Sequence, residues 1–164
     1  MEAGHPPEDD PIAHAEGFAA DMLALGYALD FSLQSLKTEV DRMLSSELLD
    51  DYPLVVAAAC ISHDDPTRGT PVHALALQRY QVYMQRETGL AAYLGETLRR
   101  NLGGEWQGNF SKDSPGVNFY LSGLTFGNQR YNPSHYFAYR LSNGLAETGS
   151  LASHLPEILE NLQA

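Results

Sequence analysis

The sequence predicts an α+β fold: a small antiparallel sheet of about three strands in the second half, packed by N-terminal and C-terminal helices. Three observations lead there. Apolar residues recur at helical spacing up to Leu102. After Gly103-Gly104 the period shortens to two across short aromatic segments, and after Asn132-Pro133 helical spacing returns. Helices, then strands, then helices is the order of an α+β domain.

The elements follow in turn. Residues 1–10 read as a flexible acidic tail, and residues 11–164 as one domain, long enough to bury roughly two thirds of its unfolded surface. Asp10-Pro11 supplies a cap and a proline at the first helical position. Ile12, Ala15, Ala19, Met22 and Leu23 follow at helical spacing, with a second stripe through Phe18, Met22, Leu25 and Leu29. Leu33, Leu36, Val40, Met43 and Leu44 predict one surface helix, capped by Asp30 or Ser32. Residues 54–61 form an apolar run whose alanines favour a short buried helix, although Val55, Val56 and Ile61 would also suit a strand, with Cys60 a buried hydrophobe inside it. Ser62 to Gly69 is a loop by its turn chemistry.

Thr70-Pro71 opens a long helix reaching Leu102, with Leu75, Tyr80 and Tyr83, then Leu90, Ala91, Leu94 and Leu98, on its inner face. Gly103 is expected in the left-handed conformation that ends helices, and Gly104 lets Trp106 turn into the core. Residues 106–110, 117–121 and 124–129 alternate as strands of a meander. Asn132-Pro133 caps a helix ending at Asn143-Gly144. A last helix aligns Leu151, Leu155, Ile158, Leu159 and Leu162, which is tolerable for Pro156 only in the first turn.

The charge is unevenly placed. Residues 1–65 carry 14 of the 21 acidic side chains against only Lys37 and Arg42, a net of −12; the remainder nets +1. Such a field repels nucleic acid and anionic membranes and attracts basic proteins. The N-terminus lacks a basic, then apolar, leader, and the longest apolar run is eight residues, far short of the roughly 20 that span a bilayer. A lone cysteine closes no internal disulfide. A cytoplasmic protein is the expectation.

The segment Ala91-Ala92-Tyr93-Leu94-Gly95-Glu96-Thr97-Leu98-Arg99-Arg100-Asn101-Leu102-Gly103-Gly104-Glu105-Trp106 resembles small bacterial proteins of unknown function. In these a Tyr-Leu-Gly-Glu…Arg-Arg helix runs through paired glycines into a Trp-bearing strand. The resemblance extends over about residues 28–162, with 53–72 unlike it. It implies a fold and a bacterial origin and no activity.

Candidate chemistry is sparse. Glu96, Arg99 and Arg100 at i, i+3 and i+4 read as a structural ion cluster before a general acid or base. His63, Asp64, Asp65 and His73 give too weak a pattern for a metal site, since ligands must converge in threes or fours. Gly-x-Ser-x-Gly, Gly-x-x-x-x-Gly-Lys and Gly-x-Gly-x-x-Gly are all absent. No catalytic residue, cofactor or metal is therefore expected. Nine of sixteen aromatic residues fall within 106–139, and some of the tyrosines there are candidates for interface anchors. The expected function is protein binding, by an acidic immunity- or antitoxin-type inhibitor of a basic toxin, through Glu39, Asp41, Glu47, Asp50, Asp51, Tyr120 and Tyr131. The alternatives are a small-molecule or enzymatic pocket between sheet and helices lined by Trp106, Tyr120 and Glu96, and a homodimer without independent activity.

Overall fold

The computed structural model describes residues 11–47, 52–107, 123–143 and 149–163. Five helices come first: α1 (Pro11–Ala24), α2 (Leu33–Thr38), α3 (Val40–Glu47), α4 (Tyr52–Ala59) and α5 (Pro71–Leu102). Strands β1 (Glu105–Gln107), β2 (Gly123–Phe126) and β3 (Gln129–Tyr131) follow, then α6 (Pro133–Asn143) and α7 (Leu151–Gln163). The α+β class and the helix-flanked antiparallel sheet are as the sequence predicts.

Helix α5 is the axis of the fold. Thr70 Oγ1 accepts from the His73 amide at 3.3 Å at its start, with Pro71 in the first turn, and Gly103 ends it with φ 80°. Its stretch from Gly89 to Leu98 is buried on all sides: Leu90, Ala91, Ala92, Tyr93, Leu94 and Leu98 are fully enclosed. Two glycines permit this. A Cβ at Gly89 would collide with the Phe18 ring of α1, and one at Gly95 with Trp106 and Leu124 of the sheet. Alanine is the better helix former by about 1 kcal/mol, so glycine stands here for close approach. Phe137 of α6 and Leu151 and Leu155 of α7 complete the core.

The sheet runs β1-β2-β3, antiparallel throughout, with Trp106 opposite Leu124 and Leu124 opposite Tyr131. The segment expected as one strand over 124–129 is instead two strands and their turn. Gly127 takes φ 63°, as a two-residue hairpin turn with glycine first requires. The strand expected over 117–121 lies outside the described residues.

Several local expectations change. Helix α1 ends at Ala24 because Gly26 turns left-handed at φ 95°; Leu25, placed on an apolar stripe, is exposed, as is Leu23. The helix expected over 33–44 is divided at Glu39, whose amide still donates to the Ser35 carbonyl at 2.9 Å. Both proposed caps act together. Ser32 Oγ accepts from the Ser35 amide at 3.1 Å, and Asp30 holds the Ser32 amide and hydroxyl. Helix α4 forms as expected but is half open: Val55 and Ala59 are buried, whereas Cys60 is exposed. Pro156 sits in the second turn of α7, beyond its expected limit; only the bond to the Ala152 carbonyl is forfeited. Trp106 is half-buried against the core rather than enclosed by it.

Candidate functional site

The carboxylate of Glu96 is wholly buried. Helical spacing brings Arg99 and Arg100 onto it. Arg99 donates through Nε at 2.7 Å and Nη2 at 2.6 Å, Arg100 through Nε at 2.8 Å, and β1 adds Trp106 Nε1 at 3.1 Å. Burial pushes this carboxyl up, but the hydrogen bonds from Arg99, Arg100 and Trp106 outweigh it and hold the group below its usual range. An ionised carboxylate with four donors has no proton to give and no lone pair to spare. The cluster is a joint between helix and sheet, extended by Arg100 Nη2 to Glu16 of α1 at 3.0 Å. Of the pocket residues expected beside it, Tyr120 lies outside the described residues.

His73, in the first turn of α5, is also occupied, whereas His63 in the preceding loop is exposed. His73 is buried, accepts from the Gly69 amide at Nδ1 (3.1 Å), and so carries its hydrogen on Nε2 toward the Ala59 carbonyl at 3.1 Å. Asp65 accepts from the Thr67 hydroxyl and amide, which lower its pKa. These bonds fix the angle between α4 and α5. Among the described residues no three His, Cys, Asp or Glu side chains gather as metal ligands.

The acidic residues expected to face a partner divide in two groups. Glu39 accepts from Arg42 at 2.6 Å and from the Ala28 amide at 3.0 Å, and both bonds lower its pKa. Asp41 accepts from Arg140 Nη1 at 2.9 Å and from the amides of Leu151 and Ala152 at 3.0 and 3.2 Å. Asp41 thus caps α7 and neutralises an arginine that is 3% exposed. Glu47 closes α3 in a different turn, and Asp50 and Asp51 lie outside the described residues. Tyr131 turns its hydroxyl inward, where it has no hydrogen-bond partner among the described residues and burial raises its pKa. Neighbouring Tyr136 is pushed up to about 12, chiefly by burial, and its hydroxyl meets His154 Nδ1 at 2.7 Å.

What the sequence did not mark is an apolar groove of about 240 Å3 between α4 and α5. Leu54 and Ala58, one turn apart on α4, face Val72 and Leu75 on α5. Leu54 and Val72 are each 73% exposed and Leu75 is 60% exposed. Leu54 and Leu75 were expected inside. Apolar residues at helical spacing read as core, and nothing in their pattern distinguishes a face that is left open.

No family model, no curated protein and no solved structure matches the chain. Among the described residues no helix is long and apolar enough to cross a membrane.

Proposed function

We propose that the protein is a protein-binding module, an acidic inhibitor of the immunity or antitoxin kind, whose α4–α5 groove receives an apolar segment of a basic partner. The observation that carries the reading is the exposure of Leu54, Val72 and Leu75 along one groove. Covering them would contribute about 1–2 kcal/mol each, the scale on which anchors in a helix groove act. The partner's charge follows from the net −11 of the chain, with Asp64 and Asp65 in the loop that joins the two helices. Arg68 and Arg79 also lie nearby, bound to the Ile61 carbonyl and the Tyr83 hydroxyl, so the attraction is a long-range one. A second copy of the same net charge would be repelled.

The test uses Leu54→Asp combined with Leu75→Asp, light scattering, and capture from the native host. The wild type should be a monomer that retains a basic polypeptide, less so as salt rises, and the double variant should lose it. A synthetic Lys/Leu amphipathic helix should bind the wild type in preference to its Glu/Leu counterpart and to the double variant. A dimer that the double variant dissolves would assign the groove to self-association and overturn the reading. So would a partner that the double variant keeps.

A further inference from the structure

One side chain ties together the two helices that form the apolar groove. His73 stands in the first turn of α5, is 7% exposed, and bonds to backbone on both sides. Its Nδ1 accepts from the Gly69 amide at 3.1 Å, and its Nε2 donates at 3.1 Å to the carbonyl of Ala59, the last residue of α4. Ala58 and Val72, which line the groove, are the chain neighbours of Ala59 and His73.

The polarity of these partners is fixed. An amide can only donate and a carbonyl can only accept, so the clamp is complementary to one state of the ring, neutral with its hydrogen on Nε2. A proton added at Nδ1 would point at the Gly69 N–H, setting two donors against each other across 3.1 Å where little water can relieve them. Relief requires the ring or Gly69 to move, and a ring that moves takes the Ala59 bond with it. The contact of His154 Nδ1 with the Tyr136 hydroxyl carries no such constraint, because a hydroxyl can turn from donor to acceptor.

The charges around His73 come chiefly from the loop. The Asp65 carboxylate interacts with His73 through its charge and so favours the imidazolium, which gives the protonated ring an alternative partner. His63, Asp64 and Arg68 are exposed, and Arg68 is held by the Ile61 carbonyl. Helix α4 brings no charged side chain, and the Cys60 thiol that follows it is bonded to the Tyr80 hydroxyl of α5. Arg79, further along α5, donates to the Tyr83 hydroxyl.

We propose that His73 is a pH-sensitive latch on the α4–α5 groove: neutral, it holds α4 against α5 and keeps the groove in shape; protonated, it releases Gly69 and Ala59, and the groove lets its occupant go. The consequence for binding rests on the reading of that groove as the binding face. The latch itself belongs to the free protein and is read without a partner.

Nitrogen NMR of the imidazole rings and hydrogen exchange, both on the free protein, test the latch. At about pH 7.5 His73 should carry its hydrogen on Nε2, and the Gly69 amide should be protected. As pH falls to about 5, protonation of His73 and loss of the Gly69 protection factor should follow one curve, with protection falling at least about tenfold. His73→Asn sets an acceptor oxygen near the Nδ1 position and does not titrate there, so its Gly69 protection should stay within about twofold over that range. The Lys/Leu amphipathic helix should bind the wild type at least about tenfold more weakly at the acid end than at the neutral end, and His73→Asn should lose much less. A ring that stays neutral down to about pH 5 would overturn the proposal, as would a protonated ring with Gly69 still protected. Equal acid weakening of helix binding in wild type and His73→Asn would overturn the control of the groove. Failure of the helix to bind even at neutral pH would instead overturn the reading of the groove, and the free-protein curves alone would then decide the latch.

Discussion

The Tyr93 hydroxyl accepts the Phe31 amide at 3.0 Å, and Phe31 holds a left-handed backbone at φ 63°. Among the described residues it is the one non-glycine in that region. Its carbonyl accepts from Asn101 Nδ2 at 3.0 Å. Its ring meets that of Tyr93 at 4.9 Å, tilted by 42°, and the Arg100 guanidinium 3.9 Å from the ring centre. Both backbone polar groups and the ring are thus held by α5, which over-determines a conformation costing roughly 1–3 kcal/mol.

That clamp reverses an ordinary ranking. At a helix or strand position alanine is more stable than glycine, but at φ 63° glycine avoids the Cβ clash. Phe31→Gly is therefore expected to be about 1 kcal/mol more stable than Phe31→Ala in urea titrations, though both fall below the wild type. Tyr93→Phe removes the acceptor for the Phe31 amide and the 2.5 Å bond to Ser35 Oγ, and should cost about 1–3 kcal/mol. Equal stability of the glycine and alanine variants would mean that the left-handed turn is absent in solution.

The Glu96 joint predicts a pH dependence. Its folded pKa is lowered, so its contribution is fully present above the unfolded value near 4.5 and is lost as pH falls through the folded value. Glu96→Gln should cost about 2–4 kcal/mol at pH 7, somewhat less than a fully buried pair because both guanidiniums reach solvent. The gap between wild type and variant should narrow as pH drops below about 4.5. Parallel acid-denaturation curves for the two proteins would count against a carboxylate held ionised by Arg99 and Arg100.

Much of the frame was legible because it is local. Thr70-Pro71, Gly103, Asn132-Pro133 and Ser32 carry their chemistry within four residues, and each cap forms where it was expected, with Asn132 Oδ1 accepting from Ser134 at 2.9 Å. The site was less legible because it depends on pairing across the chain. Asp41 and Arg140 are 99 positions apart, so the acidic character of 39–41 read as surface when it is partly internal. The openness of Leu54 and Leu75 depends on what packs against α4 and the start of α5, and periodicity alone carries no information on that.

Two helical glycines should respond oppositely to alanine. At Gly17 nothing lies within 4 Å of a new Cβ, so Gly17→Ala should stabilise by about 0.5–1 kcal/mol through the unfolded chain and helix propensity. At Gly95 the methyl would press on Trp106 and Leu124, so Gly95→Ala should destabilise by about 1–3 kcal/mol. Thermal unfolding of the pair gives the sign directly. A stabilised Gly95→Ala would mean that the sheet packs further from α5.

Asp41 separates a structural carboxylate from a partner-facing one. It joins the start of α3 to α6 through Arg140 and to the first turn of α7 through the Leu151 and Ala152 amides. Arg140 also donates to the Gly149 carbonyl, so one of its bonds survives any change at Asp41. Asp41→Asn retains an acceptor oxygen but removes the charge opposite a buried guanidinium. It should cost about 2–4 kcal/mol, or roughly 4–16 °C in melting temperature for a chain of this size. A partner-facing aspartate would behave otherwise: the melting temperature would stay put and only association with a basic partner would slow. Measuring both quantities on one preparation decides between them. Unchanged melting with slowed association would return Asp41 to the binding surface and leave α7 capped by Ser150, whose Oγ accepts from the Ser153 amide at 3.0 Å.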